Sequence, residues 1–304
     1  MRGIWVVALG VAMSASAAAG QAQRRTPEWE TKAGGKMAFE VASVRLSNPD
    51  KRMPNSVSLN AEDGDAPTGD NFTADAPLDV YITFAYKLWL SPEEGRALRA
   101  SLPKWSGDRY TIVARAAGNP TKDQLRLMMQ ALLVERFKLA LHFETRETNV
   151  LALRLVKAGK TGPKLIAHAA GPACDVREGK VANDGPGKDG AIYPPVCGVS
   201  VFSPAAHHQN LLAGRNTRME LMGPILATLG RLGLPVVDQT GLAGNVDFAM
   251  VWLPEVRADA PPEPDADGPT FLEALGDQLG LKLDAVKAPL AVLVVDHVEK
   301  PAEN

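Results

Sequence analysis

Apolar and polar positions follow one order twice along this chain. In Pro120–Lys157, Thr121 and Gln124 have the spacing of a helix capping box. Leu125, Met128, Met129, Leu132 and Leu133 then recur at helical spacing, which predicts one buried face. The alternating run FKLALHF (Phe137–Phe143), the polar break Glu144–Asn149 and the apolar run Val150–Val156 predict a hairpin-like pair of strands. Pro269–Lys300 repeats the plan. Thr270 and Glu273 cap a helix whose core side is Leu272, Leu275 and Leu279, and Gly280 suits its C-terminal turn. LKLDAV (Leu281–Val286) and LAVLVV (Leu290–Val295) predict the closing strands.

A matching segment precedes each repeat. In the first, Asn71–Thr73 reads as a strand. Asp75 is placed to cap a helix carrying Leu78, Ile82 and Ala85, and Pro77 is tolerated in its first turn. A loop with Trp89, Pro92 and Pro103 leads to a strand over Arg109–Ala116. In the second, Leu211–Ala213 reads as a strand. Thr217 and Glu220 suggest a cap, Leu221, Ile225, Leu229 and Leu232 form a helical face interrupted by Pro224, and Asn245–Trp252 reads as a strand. Phe39–Val44 also alternates, and Ser47–Asp70 lacks a pattern and reads as a loop. The prediction is an α+β fold of two similar β-α-β-α-β-β halves, internally duplicated, over residues 38–160 and 209–304. Residues 161–208 form a Gly- and Pro-rich loop between them, and an acidic connector runs over 255–268.

The N-terminus adds an address. Arg2, the apolar run Ile4–Met13 and the small residues Ser14–Ala19 have the order of a secretory signal, assigned to residues 1–22. The apolar run is too short to span a bilayer, and no later stretch reaches about 18 apolar residues. No Cys follows it to carry a lipid. Residues 23–37 read as a flexible leader. Export changes the meaning of Cys174 and Cys197, the only cysteines, because an oxidising compartment favours a disulfide between them. A metal pair and a reactive thiol are the other readings of the two.

With 45% hydrophobic residues the chain can bury a core, and its net charge of −2 gives no basic face for nucleic acid. Catalytic signatures are missing: there is no G-x-S-x-G, no P-loop and no G-x-G-x-x-G. Asp238-Gln239-Thr240-Gly241 interrupts an Asp-Thr-Gly motif and suits a turn. His207-His208, with His168 or a cysteine, would have to hold a metal without HxH or CxxC spacing, so a surface pair is expected. His142 and Glu144 share one strand face, and Asp296 and His297 adjoin near the last strand's end, but no nucleophile stands beside either pair. No catalytic residue, metal site or cofactor is therefore assigned. Tyr86, Trp89 and Trp105 cluster around one loop as a candidate ligand platform, or else as cover for the first core.

Several segments together carry a resemblance: Phe39–Pro49 (FEVASVRLSNP), Leu102–Ala116 (LPKWSGDRYTIVARA), Asp123–Glu147, Pro235–Trp252 (PVVDQTGLAGNVDFAMVW) and Leu279–Asn304. Over residues 38–304 the chain resembles a large family of uncharacterised secreted proteins of soil acidobacteria, defined by a domain of unknown function. The resemblance implies a signal-bearing protein and brings no catalytic residue. Some members carry the domain behind a membrane metallopeptidase segment, and this chain has no HExxH. The second half is similar, more loosely, to the short N-terminal domain of secretins and of TonB-dependent signalling receptors, which implies partner binding in the periplasm. The expected function is an exported, non-catalytic binding module for an envelope protein, peptide or polymer. The alternative is an exported hydrolase with a site between the halves, near His142, Glu144 and Asp238.

Overall fold

The computed structural model describes residues 27–61, 67–171, 174, 193–194, 197–255 and 267–302. The signal assigned to residues 1–22 lies outside them. The first half contains α1 (Glu28–Lys32), β1 (Val41–Leu46), β2 (Asn71–Pro77), α2 (Leu78–Ala85), α3 (Pro92–Ser101), β3 (Arg109–Arg115), α4 (Lys122–Phe137) and β4 (Ala140–Leu155). The rest contains β5 (Leu165–Ala167), β6 (Val199–Pro204), β7 (Asn210–Arg218), α5 (Met219–Leu229), β8 (Val236–Asp238), β9 (Asn245–Trp252), α6 (Phe271–Leu279) and β10 (Leu281–His297). Helix and strand thus mix in an α+β arrangement. The element orders of the two runs, β2-α2-α3-β3-α4-β4 and β7-α5-β8-β9-α6-β10, differ by α3 in the first and β8 in the second.

Three sheets carry the fold, in the orders β1-β3-β2, β10-β4-β8 and β5-β9-β7-β6. In β3, Tyr110, Ile112 and Ala114 face inward, where they meet Phe72, Phe84, Met129 and Phe137 in a first core. In β9, Val246, Phe248, Met250 and Trp252 enter a second core with Leu226, Leu275 and Leu279. Period-2 alternation on the strands and helical periodicity on α4 point inward the residues that the sequence pattern marked. On α6, Leu275 and Leu279 are buried as expected, but Leu272 is 60% exposed, because Phe271 and Ala274 take the inward face beside them.

The expected terminal hairpins do not form. Glu144–Asn149 interrupts nothing: β4 runs straight through it, and β10 runs through Lys287–Pro289. The two long strands pair antiparallel with each other, Glu144 opposite Val292 and Asn149 opposite Lys287. A polar stretch can remain strand when its backbone is paired and its side chains reach water, and Thr145, Arg146 and Glu147 lie exposed at the middle of the ribbon. Each end of the ribbon serves a different core. Leu141, Leu293 and Val295 pack on the first, while Leu151, Leu153, Leu281 and Leu283 pack on the second.

Capping signals divide in the same way. Thr121–Gln124 and Thr270–Glu273 form capping boxes, and Gly280 ends α6 at φ 69°. Asp75 does not cap α2, whose N-cap is Pro77; it lies within β2. Thr217 lies within β7, and α5 starts after Arg218 without a side-chain cap. Pro224 sits inside α5. The loop around Trp89 and Pro92 contains α3, capped by a Ser91–Glu94 box. The leader contains α1, and Gln130 of α4 donates to Glu30 at 3.1 Å. The 161–208 segment is also more than a linker: β5 and β6 are the two edges of the four-stranded sheet. Cys174 and Cys197 are joined in a disulfide, Cα atoms 5.3 Å apart.

Candidate functional site

Strands with unpaired rims attract other chains, and proteins normally cover them. Among the described residues, the first sheet covers one rim and leaves most of the other without a strand partner. On the β2 side, Ser56 N–H donates to the Thr73 carbonyl (2.8 Å), Thr73 N–H to Ser56 Oγ (3.0 Å) and Asp75 N–H to Asn55 Oδ1 (2.9 Å). On the β1 side, Ser47 N–H donates to the Arg109 carbonyl at 2.8 Å. With Val41 opposite Arg115 and Leu46 opposite Tyr110, antiparallel alternation turns the N–H and C=O groups of Ala42, Val44 and Leu46 away from β3. The Ala42 carbonyl accepts from Arg136 at 3.4 Å, and no strand pairs along this rim among the described residues. Val41 is 69% exposed and Leu46 47%.

A shallow cleft of about 280 Å³ opens at the end of β1, lined by Leu46, Ser47, Pro49, Arg52, Asp108 and Arg109. Its floor is a buried polar network. Asp75, 2% exposed, accepts from Arg109 Nε at 2.7 Å, from Ser47 Oγ and, more loosely, from Thr111 Oγ1 at 3.3 Å. Burial works to raise the Asp75 pKa. The hydrogen bonds from Ser47 and Arg109 and the Arg109 charge outweigh it, so the carboxyl sits below its ordinary value. Arg109 also donates to the Asp75 carbonyl. The guanidinium is thereby fixed at the cleft while remaining partly exposed. An apolar rim leading to Arg52 and to the partly exposed Arg109, already paired with Asp75, with Asp108 beside them, suits an extended chain followed by a carboxylate that Arg52 would meet.

The sequence did not single out Leu46, Arg52, Asp75 or Arg109 as a site. Their one signal is an Asp and an Arg on adjacent strands, diagonal to each other with Asp75 opposite Thr111 and Arg109 opposite Pro77, which only the register reveals. The loop aromatics go elsewhere. Trp105 stacks on Phe137 (ring centroids 6.5 Å) and meets Tyr110 edge-on, and Tyr86 packs on the first core. The Trp89 indole N–H is buried and has no hydrogen-bond acceptor among the described residues.

The ionisable candidates do not converge. His142 Nδ1 lies 2.9 Å from the Asp296 carboxylate, both about half exposed, and Glu144 pairs with Arg146 instead. Asp238 is opposite Leu153, eleven residues further along β4, hence about 35 Å from His142 at strand rise. It accepts from Thr240 N–H (2.9 Å) and Thr240 Oγ1 (2.7 Å), closing a turn. His207 and His208 sit at positive φ in the turn between β6 and β7, whereas His168 pairs with Asp247 of β9. Among the described residues, no three His, Cys, Asp or Glu side chains are grouped to hold a metal ion. No helix among them is long and apolar enough to cross a membrane.

One family model matches, over residues 79–298, and its description is a protein of unknown function, DUF3738. No curated protein and no solved structure matches the chain.

Proposed function

The chain belongs to the DUF3738 family, and from that premise we propose that it is an exported, non-catalytic module that binds an extended, acidic polypeptide by strand addition to β1. The observation that carries this reading is the contrast between the two rims of the first sheet. β2 is sealed by Asn55 and Ser56, whereas β1 offers the outward groups of Val44 and Leu46 and ends at a cleft holding Arg52 and Arg109. Main-chain bonds to the rim supply affinity, and the arginines supply preference for a carboxylate. Strand addition is the recognition mode that needs only the backbone of the ligand, which fits a partner presented unfolded or as a tail.

Two features support export. The N-terminal residues have the order of a secretory signal, and the disulfide belongs to an oxidising compartment. The looser likeness of the second half to partner-binding periplasmic domains points the same way. The separation of His142 from Asp238 favours binding over a hydrolase with a site between the halves.

Selection from displayed peptides of eight random residues with a free C-terminus tests the reading. Alternating apolar sequences with a terminal or near-terminal acid are expected. Leu46→Asp, at a half-exposed position, places like charge before the ligand and weakens capture at least tenfold. Equal capture by wild type and Leu46→Asp, or turnover in a screen of ester, amide and glycoside substrates, overturns it.

A further inference from the structure

Asp247 lies in the middle of β9 and is fully buried, on the sheet face opposite the second core. An ionised carboxylate there is costly unless it is engaged. Its Oδ1 accepts from the Asn216 N–H at 2.8 Å, fixing the bulge in β7, and lies 2.8 Å from His168 Nδ1. Its Oδ2 has no hydrogen-bond donor among the described residues, and Arg215 Nε of β7 stands 3.8 Å from it. A carboxylate only accepts, so the Nδ1 of His168 carries a proton, and Nε2 faces the other way. What it faces is a disulfide: Nε2 is 3.8 Å from Cys174 Sγ. The imidazole is 23% exposed, and both cysteines are only partly buried. Tyr193, from the segment before Cys197, packs on Leu211, Ala213 and Ala249. Burial first, then the Asp247 charge, raises its pKa against the opposing effect of Arg215.

A disulfide that only cross-links the chain needs no proton carrier at its sulfur. We propose that Cys174–Cys197 is a thiol–disulfide exchange site in which His168, oriented by Asp247, acts on the Cys174 sulfur. The co-substrate is a dithiol. One of its thiolates attacks Cys197 Sγ, a bond forms to that sulfur, and the Cys174–Cys197 bond breaks. Cys174 leaves with the electron pair, and the proton on imidazolium Nε2 passes to it. The second thiol of the co-substrate, once deprotonated, attacks its own sulfur in the mixed disulfide and releases Cys197 as thiolate, which takes a proton from water. Two electrons and two protons move from the dithiol to the two cysteines, and the co-substrate becomes a disulfide. A leaving sulfur stabilised by a neighbouring cation departs faster, which fixes Cys174 as leaving group and Cys197 as point of attack. In the reverse direction His168 accepts the Cys174 proton. His168 touches the reacting sulfur, while Asp247 is a positioning residue.

The rate of reduction of the native full chain by dithiothreitol, followed by thiol appearance from pH 5 to 9, tests this. The wild type is expected to react at least tenfold faster than His168→Gln near neutral pH, after correction for the thiolate fraction of the reagent. The shape of its pH profile differs from that of His168→Gln. Asp247→Asn loses severalfold in rate but keeps the wild-type shape. Rates for wild type and His168→Gln within twofold of each other, or a wild-type disulfide that resists dithiothreitol without denaturant, overturn the proposal. Reduced wild type provides a second reading that needs no variant. Iodoacetamide at pH 6 labels Cys174 at least fivefold faster than Cys197 if the imidazole activates it, and equal labelling or preference for Cys197 overturns the assignment.

Discussion

Leu141 and Val295 are cross-strand partners in the β4–β10 ribbon, and both lie against the first core although the second of them is contributed by the last strand of the chain. The first half is therefore completed by residues from the second. Leu293, Val295 and Val298 cover a core otherwise built from residues before 142.

A fragment ending at Lys160 follows from this as a test. It retains α4 and β4 but loses β10, so β4 gains an open edge and the first core loses its cover. Each apolar side chain uncovered costs on the order of 1 kcal/mol, and folded domains have few to spare. The expected result is loss of a cooperative thermal transition in the fragment, and its return when a peptide spanning residues 287–300 is added. Independent two-state melting of the fragment at the temperature of the intact chain would sink the idea of a shared ribbon.

Arg126 tests a different element. Its side chain is 0% exposed, lies over the Phe84 ring at 5.3 Å, donates to the Asn60 carbonyl at 2.8 Å and pairs with Asp123. A guanidinium can satisfy a carbonyl, a carboxylate and a ring face at once, and an ammonium cannot reproduce that fork. Arg126→Ala is expected to destabilise by about 3 kcal/mol, with Arg126→Lys recovering less than half, as measured by urea denaturation. Full recovery by lysine contradicts the bidentate role.

The pH dependence of stability turns on Asp75. Its folded-state pKa lies below the unfolded value of about 4. A depressed carboxyl contributes stability that is present above the unfolded value and lost as pH falls through the folded one. Asp75→Asn should therefore cost about 2 kcal/mol at pH 7, a figure reduced by the partial exposure of Arg109. The gap between variant and wild type should close as pH falls below about 4. A gap that stays constant from pH 7 to pH 3 means that the carboxylate charge contributes nothing.

Local signals were legible and long-range ones were not. The Thr121 and Thr270 boxes, Gly280 and the apolar face of α4 could be read because a cap or a helical stripe is settled within about one turn. Asp75 and Thr217 have the residue type of a cap but belong to strands, because β2 pairs with β3 and β7 with β9 on either side of them and propensity yields to that pairing. Glu144–Asn149 looked like a break because its polarity was visible and its partner, Lys287–Val292, was not. β5 and β6 escaped notice for being short and set among Gly and Pro. The disulfide was legible once export was inferred. The rim of β1 and the Asp247–His168 pair depend on register and on a loop crossing a sheet face, which no spacing in the chain announces.

Gly280 ends α6 and also marks a close backbone approach in the second half. Its φ of 69° is a conformation L side chains rarely adopt, and a Cβ there would stand 2.4 Å from the Gly162 nitrogen. The crowding has a purpose. Gly162 N–H donates to the Leu279 carbonyl at 2.8 Å and Lys164 N–H to the Gln278 carbonyl at 2.9 Å, so the 162–164 segment satisfies carbonyls that the helix end leaves open. Val156 N–H then bonds the Gly280 carbonyl at 2.9 Å, tying the end of α6 to the end of β4. Gly280→Ala combines left-handed strain, about 1–2 kcal/mol, with displacement of that segment, about 1–3 kcal/mol. The sum predicts a loss of roughly 2–5 kcal/mol in chemical denaturation. Amide exchange should accelerate at Gly162 and Lys164 before it does in β3, because the first core does not rely on this contact. A variant whose stability falls by less than about 1 kcal/mol would show that the helix end and the 162–164 segment move apart without cost.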